Sequence, residues 1–237
     1  MVTLLIKKLK LPSLTGLVGL LVSALFLTGC RSATEFDVQS LAKTDIDMVA
    51  DANILAIENL LQELTVKLYS RNPRELRKIP GQSLEDRQQQ LFLTASTFAF
   101  EELGYQRSVD AMLLAFDPEF EGDRVFALMV GLTTMLDDAY DNQREFFITS
   151  KLDQQKLYNS ARNIEVLIWR LNQRRDEKGG LYLLTNATSG AINLSFERLF
   201  GKLIARQDMM ATLVAQKTNR TINRVVQGLA TMAFVPI

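Results

Sequence analysis

The chain has 237 residues, 47% of them apolar, and carries 27 Lys+Arg against 27 Asp+Glu, an ordinary globular balance with material for one large domain. It contains no histidine, which excludes Ser–His and Cys–His nucleophiles, the H-E-x-x-H zinc helix and most other zinc sites. A single cysteine excludes an intramolecular disulfide, and the charge balance offers no bulk attraction to nucleic acid.

Residues 1–10, MVTLLIKKLK, hold Lys7, Lys8 and Lys10, and residues 11–29 hold no charge. A positive start, an apolar stretch and then small residues is the layout of a signal peptide. The uncharged stretch would also just span a bilayer, but Pro12 and two glycines interrupt it early and no basic cluster follows beyond Arg31. The stretch ends on Leu27-Thr28-Gly29-Cys30, which resembles the lipobox of bacterial lipoproteins. The resemblance covers residues 1–30 only. It implies that the Cys30 thiol receives a diacylglyceryl group, that residues 1–29 are removed, and that the new amine of Cys30 is acylated. These covalent lipids are the only cofactor expected. Each buried methylene contributes about 0.8 kcal/mol and two chains suffice for stable anchoring, so the mature protein is expected on a membrane surface without spanning it. In lipoproteins of enteric bacteria an aspartate after the cysteine holds the protein at the inner membrane. Arg31 stands there instead, which favours the periplasmic face of the outer membrane; the rule differs between bacterial groups, so the inner membrane stays open. Removal of three lysines with the signal leaves 24 basic against 27 acidic residues, a net charge of −3.

Residues 30–43 read as the lipidated cysteine and a polar tether, the 13 residues after Cys30 reaching about 43 Å at roughly 3.3 Å each. The domain is expected over residues 44–237. Thr44 with Asp47 suggests a helix cap, followed by Ile46, Val49, Ile54, Ile57, Leu60, Leu61, Leu64 and Leu68 at helical spacing, ending before Pro73. A second helix is expected from Ser83 through Leu91, Phe92, Ala95, Phe98, Ala99 and Leu103, with Gly104 as its stop. A short helix follows at Ser108–Phe116, then the loop DPEFEGD. Val125, Leu128, Met129, Leu132, Met135 and Leu136 form the next stripe. Ser150 is expected to cap a long helix carrying Leu157, Ala161, Ile164, Leu167, Ile168 and Leu171. Further helical stripes run from Ile192 through Ile204, from Met209 to Val214, and from Ile222 to Leu229. Trp169 is expected in the core. The only strand candidate is LYLLTN at 181–186, so the pattern predicts an all-α fold of about six or seven helices in a single domain.

Candidate chemistry is sparse. Asp117, Glu119, Glu121 and Gly122 imitate the start of an EF-hand loop, but position 12 is Leu128 where a bidentate carboxylate is required. Asp137, Asp141 and Glu145 would share one face if their helix continued, with Arg144 as compensating charge, but helical di-metal sites also use histidine; no metal is expected. Ser40-x-x-Lys43 matches the S-x-x-K of penicillin-binding proteins without its S-D-N and K-T-G companions. Arg71, Arg74, Arg77 and Lys78 crowd one Pro- and Gly-punctuated connection and are the candidate contacts for an anion or a partner, although such clusters more often pair with local acids. The uncharged residues 225–237 are too short to span a bilayer and suit either core or an interaction surface.

The expected function is accordingly a non-enzymatic, lipid-anchored interaction component of the bacterial envelope, with a membrane and an envelope protein as partners. The alternative is carriage of a lipid or other amphiphile in an apolar pocket between helices. A carboxylate enzyme acting on wall or lipid stands third.

Overall fold

Thr44 opens the first helix as its residue type demands: the Asp47 carboxylate accepts both its backbone N–H (2.8 Å) and its hydroxyl (2.7 Å), satisfying groups that a helix start leaves orphaned. The computed structural model describes residues 43–93, 99–186, 194–223 and 233–237. These belong to one unit, Ala42–Ile237, which is all-α. The expected signal segment, the lipobox-like residues (Leu27, Thr28, Gly29, Cys30), the expected tether up to residue 42, Ala95, Phe98, Ile192 and Val225–Leu229 lie outside the described residues.

Among the described residues there are seven α-helices: α1 Asp45–Arg71, α2 Pro73–Leu76, α3 Leu84–Phe92, α4 Ser108–Leu114, α5 Arg124–Ala139, α6 Gln154–Gln173 and α7 Ser195–Thr218. Helix α1 stops at Asn72, because Pro73 forces its predecessor out of the helical region. Ser83 caps α3 with Asp86 as reciprocal partner. That helix ends sooner than its apolar spacing predicts. Leu93 is its C-cap and largely exposed, Ala99 is exposed outside any helix, and Leu103 belongs to a separate 3-10 turn, Glu101–Leu103. Gly104 does close that turn, in the left-handed conformation (φ 58°) that glycine adopts freely. Helix α6 starts later than expected: Asp153 is the N-cap, its carboxylate accepting the Gln155 N–H at 2.7 Å. The Ser150 hydroxyl accepts the Phe147 N–H of the preceding turn instead. The strand candidate at 181–186 is irregular backbone with one isolated bridge, Arg175 to Leu181.

Every residue of α5 from Arg124 through Leu136 is buried, as expected of a helix apolar on all sides. Helices α1, α3, α4 and α6 surround it, and α7 packs along both α6 and α1. The closest approach is to α4. A Cβ on Gly131 would overlap the Met112 backbone nitrogen and lie 2.6 Å from the Ser108 carbonyl oxygen. The Thr134 hydroxyl ties the same pair, accepting the Ser108 N–H (2.6 Å) and donating to Val130 O. Gly131→Ala is therefore expected to cost about 1–3 kcal/mol, the range for overpacking a filled core, read from urea unfolding. An unchanged midpoint would mean that α4 moves aside freely.

Trp169 is only half-buried, and Val49 faces solvent where its spacing had placed it inside.

Candidate functional site

The basic connection between α1 and α3 is built into the molecule. Arg71 donates to Asn186 O through Nε (3.1 Å) and Nη2 (2.7 Å), and Arg74 donates to Tyr182 O (2.8 Å). Between them, the Asn72 side chain accepts the Leu184 N–H (2.8 Å) and donates to Leu184 O (3.0 Å). The irregular stretch 182–186 needs such partners because it has no helix or ladder to satisfy its peptide groups. Lys78 reaches Glu75 (2.7 Å) and Gly122 O (3.0 Å). Arg77 is exposed and makes no ion pair among the described residues. The structure thus spends most of this charge on internal latches and leaves Arg77 as the freest member.

Behind the connection lies a buried polar cluster that periodicity does not reveal. Arg87, with no exposed surface, forms a bidentate pair with Glu102 (2.6 and 2.8 Å), sits 3.4 Å from Asp123, and stacks 3.8 Å over the Phe126 ring. Asp123 accepts the Tyr69 hydroxyl (2.7 Å) and caps α5 by accepting the Phe126 N–H (3.0 Å). Burial above all raises the carboxyl pKa of Asp123, and burial with the neighbouring Asp123 charge raises that of Tyr69. Buried Glu75 accepts the Arg124 N–H at 3.0 Å. Arg124 in turn donates to the carbonyls of Leu114, Ala115 and Asp117, closing α4. An open cleft of about 450 Å³ adjoins this cluster, but cations (Arg74, Lys78, Lys178) and carboxylates (Glu119, Asp176, Glu177) alternate around it, which gives no single-sign field. The arrangement suits holding helices together.

The acidic series does not share a face. Helix α5 ends at Ala139, and Asp141 (φ 52°) and Asn142 (φ 58°) turn the chain in left-handed conformations. Asp137 pairs with Arg144 (3.2 Å), Asp141 with Lys156 (2.7 Å) and Glu145 with Lys43 (2.9 Å). Asp137 borders a cavity of about 20 Å³, room for one water, together with Ile54, Leu61, Leu136 and the unpartnered hydroxyl of Thr133. Burial pushes its carboxyl up to about 6, against the opposing pull of Arg144. In the EF-hand look-alike, Asp117 accepts the Glu119 N–H in a local turn and Leu128 is core. Among the described residues no cluster of three or more His, Cys, Asp or Glu side chains could hold a metal.

The surface around the start of α1 is different in character. On α1, Met48 (48% exposed), Val49 (39%), Ala52 and Leu55 (62%) form an outward apolar stripe, and Met209 of α7 (44%) lies in the adjoining groove. On the other side of the α1 start, Ile46, Leu152 and Val214 floor a cavity of about 360 Å³ bordered by Lys151, Lys217 and Arg220 and by the Asp47 carboxylate, 3.7 Å from Lys217. Its Lys217 donates to the Thr44 hydroxyl at 3.0 Å. The stripe had a trace in the sequence, since Met48, Ala52 and Leu55 repeat three or four apart on the side opposite the core positions. The cavity had none, because its floor is assembled from three distant segments.

No known protein family, curated protein or solved structure matches this chain. Among the described residues no helix is long and apolar enough to cross a membrane.

Proposed function

We propose that the protein is a lipid-anchored component of the bacterial envelope that works by contact with another envelope protein. The observation that carries this reading is the exposed stripe Met48–Val49–Ala52–Leu55, which begins four residues after Thr44, where the tether joins the domain. Exposed apolar side chains in a contiguous row cost free energy unless something covers them. The interior supports the same reading: the acids and bases buried within it are paired with one another, which favours a scaffold over a working cleft.

Two measurements test the parts separately. Cys30→Ala is expected to abolish labelling by a fatty-acid analogue and to leave the precursor uncut; persistent labelling would refute the anchor. A photo-crosslinking residue at Leu55 in native envelopes is expected to yield one reproducible protein adduct that the same residue at Glu177 does not. Failure to capture any reproducible partner from Leu55 would overturn the interaction reading.

The amphiphile reading has one observation in its favour, the apolar-floored cavity at Ile46, Leu152 and Val214, bordered mainly by cations. It matches an anionic headgroup with a short length of chain. Native mass spectrometry of protein taken from membranes would show a bound lipid that Lys151→Glu with Lys217→Glu removes.

A further inference from the structure

Helix α6 carries Gln155, Asn159 and Asn163 at four-residue spacing, on one face. Each uses its carboxamide on remote non-helical main chain, Asn159 and Asn163 on residues 235–236 and Gln155 on Asn223. Asn163, itself buried, accepts the Val235 N–H (2.7 Å) and donates to Val235 O (2.8 Å). Gln155 makes the same two-way bracket on Asn223, accepting its N–H (2.9 Å) and donating to its carbonyl (3.1 Å). Asn159 donates to Pro236 O (2.8 Å) and accepts from Gln155 (2.8 Å), which locks the row. About two turns beyond Asn163, Arg170 lies 5.0 Å from the centre of the Phe234 ring.

A carboxamide offers one acceptor and two donors, so it can pair with a peptide group in both directions, as a neighbouring strand would. Such a row reads backbone and is indifferent to most side chains, which is the logic of strand addition carried out by a helix. The side-chain demands lie at the margins: an aromatic ring beneath Arg170, a residue with an N–H opposite Asn163, and an apolar residue at the end, where Ile237 packs against the core. Proline is accepted opposite Asn159, which asks only for a carbonyl. The segment 233–237 meets each of these without a charge, yet Ala233 and Pro236 are exposed. Beside the row, between α6 and α7, a cleft of about 720 Å³ opens next to Tyr158, Arg162, Asp208, Thr212 and Gln216.

We propose that the Asn159–Asn163 face of α6 is a binding site for polypeptide backbone, occupied here by the chain's own residues 233–237, while Gln155 at its end is taken by Asn223. An uncharged segment of the same chemistry, supplied by an envelope partner, takes the site in exchange. This deepens the interaction reading by naming the chemistry of the partner, and it concerns a face distinct from the Leu55 stripe, so either can fail without the other.

The test uses the full chain and a fluorescent peptide of the sequence Ala-Phe-Val-Pro-Ile. A covalently attached segment competes at an effective concentration in the millimolar range, so the unaltered protein is expected to bind the free peptide poorly. Val235→Pro deletes the N–H that Asn163 accepts and is expected to raise peptide affinity about tenfold, the size of one lost hydrogen bond in a bracket. Adding Asn163→Ala should remove the gain. If Val235→Pro lowers the melting temperature too far, Phe234→Ala weakens the same segment at its other end and should act alike. No gain in either variant, or a gain that survives Asn163→Ala, overturns the site. A concentration-dependent dimer of the unaltered chain that Asn163→Ala dissolves would assign the groove to a second copy and overturn the partner segment.

Discussion

Replacing Arg87 with alanine is expected to lower the free energy of unfolding by about 3–5 kcal/mol, the cost of breaking a buried ion pair from one side. Arg87 has no exposed surface, and its removal leaves Asp123 without its cation and Glu102 without a bidentate partner. It also removes the group stacked on Phe126, whose ring meets Phe100 edge-on at 4.9 Å. Burial works against the charge on Arg87, yet the Glu102 hydrogen bonds and the nearby acidic groups hold it charged and raise its pKa overall. Arg87→Lys should recover little, because an ammonium cannot make the two parallel bonds of a guanidinium. Arg87→Met combined with Asp123→Asn should be less damaging than the alanine variant, since it leaves fewer orphaned charges. Urea unfolding at neutral pH measures all three; a loss below about 1 kcal/mol for Arg87→Ala would mean that water reaches the cluster.

Asp137 is expected to make stability fall as pH rises from about 4 to about 7. Its folded-state pKa, about 6, stands above the ordinary 3.8, chiefly through burial. The folded protein therefore binds this proton more tightly than the unfolded chain does. The stabilisation from that proton is fully present below the ordinary value and is lost as pH climbs through the folded one. At 1.36 kcal/mol per pKa unit the change amounts to about 2–3 kcal/mol. Asp137→Asn cannot titrate, so its stability relative to the unaltered protein should improve by that amount between pH 4 and pH 7. An unchanging difference across the range would show that Arg144, at 3.2 Å, already holds the carboxylate ionised.

Some of the chain was legible because its signals are local. Thr44 with Asp47, Pro73 after Asn72, Ser83 with Asp86 and Gly104 in the left-handed region each act within four residues, and each does in the structure what its chemistry implies. The start of α6 is not fixed by its local pattern, because Ser150 and Asp153 are both good caps; the Ser150 hydroxyl is taken by Phe147, which leaves the role to Asp153. The end of α3 is hidden from its spacing, because Leu91, Phe92 and Leu103 keep a helical period although the helix stops at Phe92. Glu102 and Phe100, beyond that stop, are held by Arg87 and Phe126, contacts that sequence distance hides.

By itself the sequence determined the all-α class, most helix stripes, the absence of histidine and disulfide chemistry, and the lipobox-like stretch ending at Cys30. Those follow from composition and from periods of three or four residues, which are properties of short windows. Only the tertiary structure decided that Arg71, Arg74 and Lys78 are latches, that Asp137, Asp141 and Glu145 part company, that Arg87 is buried, and that α6 grips residues 233–237. Most of these depend on pairings across 15 to 115 positions, while Lys78–Glu75 and Asp137–Arg144 are closer in sequence. A side chain's pattern shows which way it faces on its own helix, but not which distant backbone or charge meets it there.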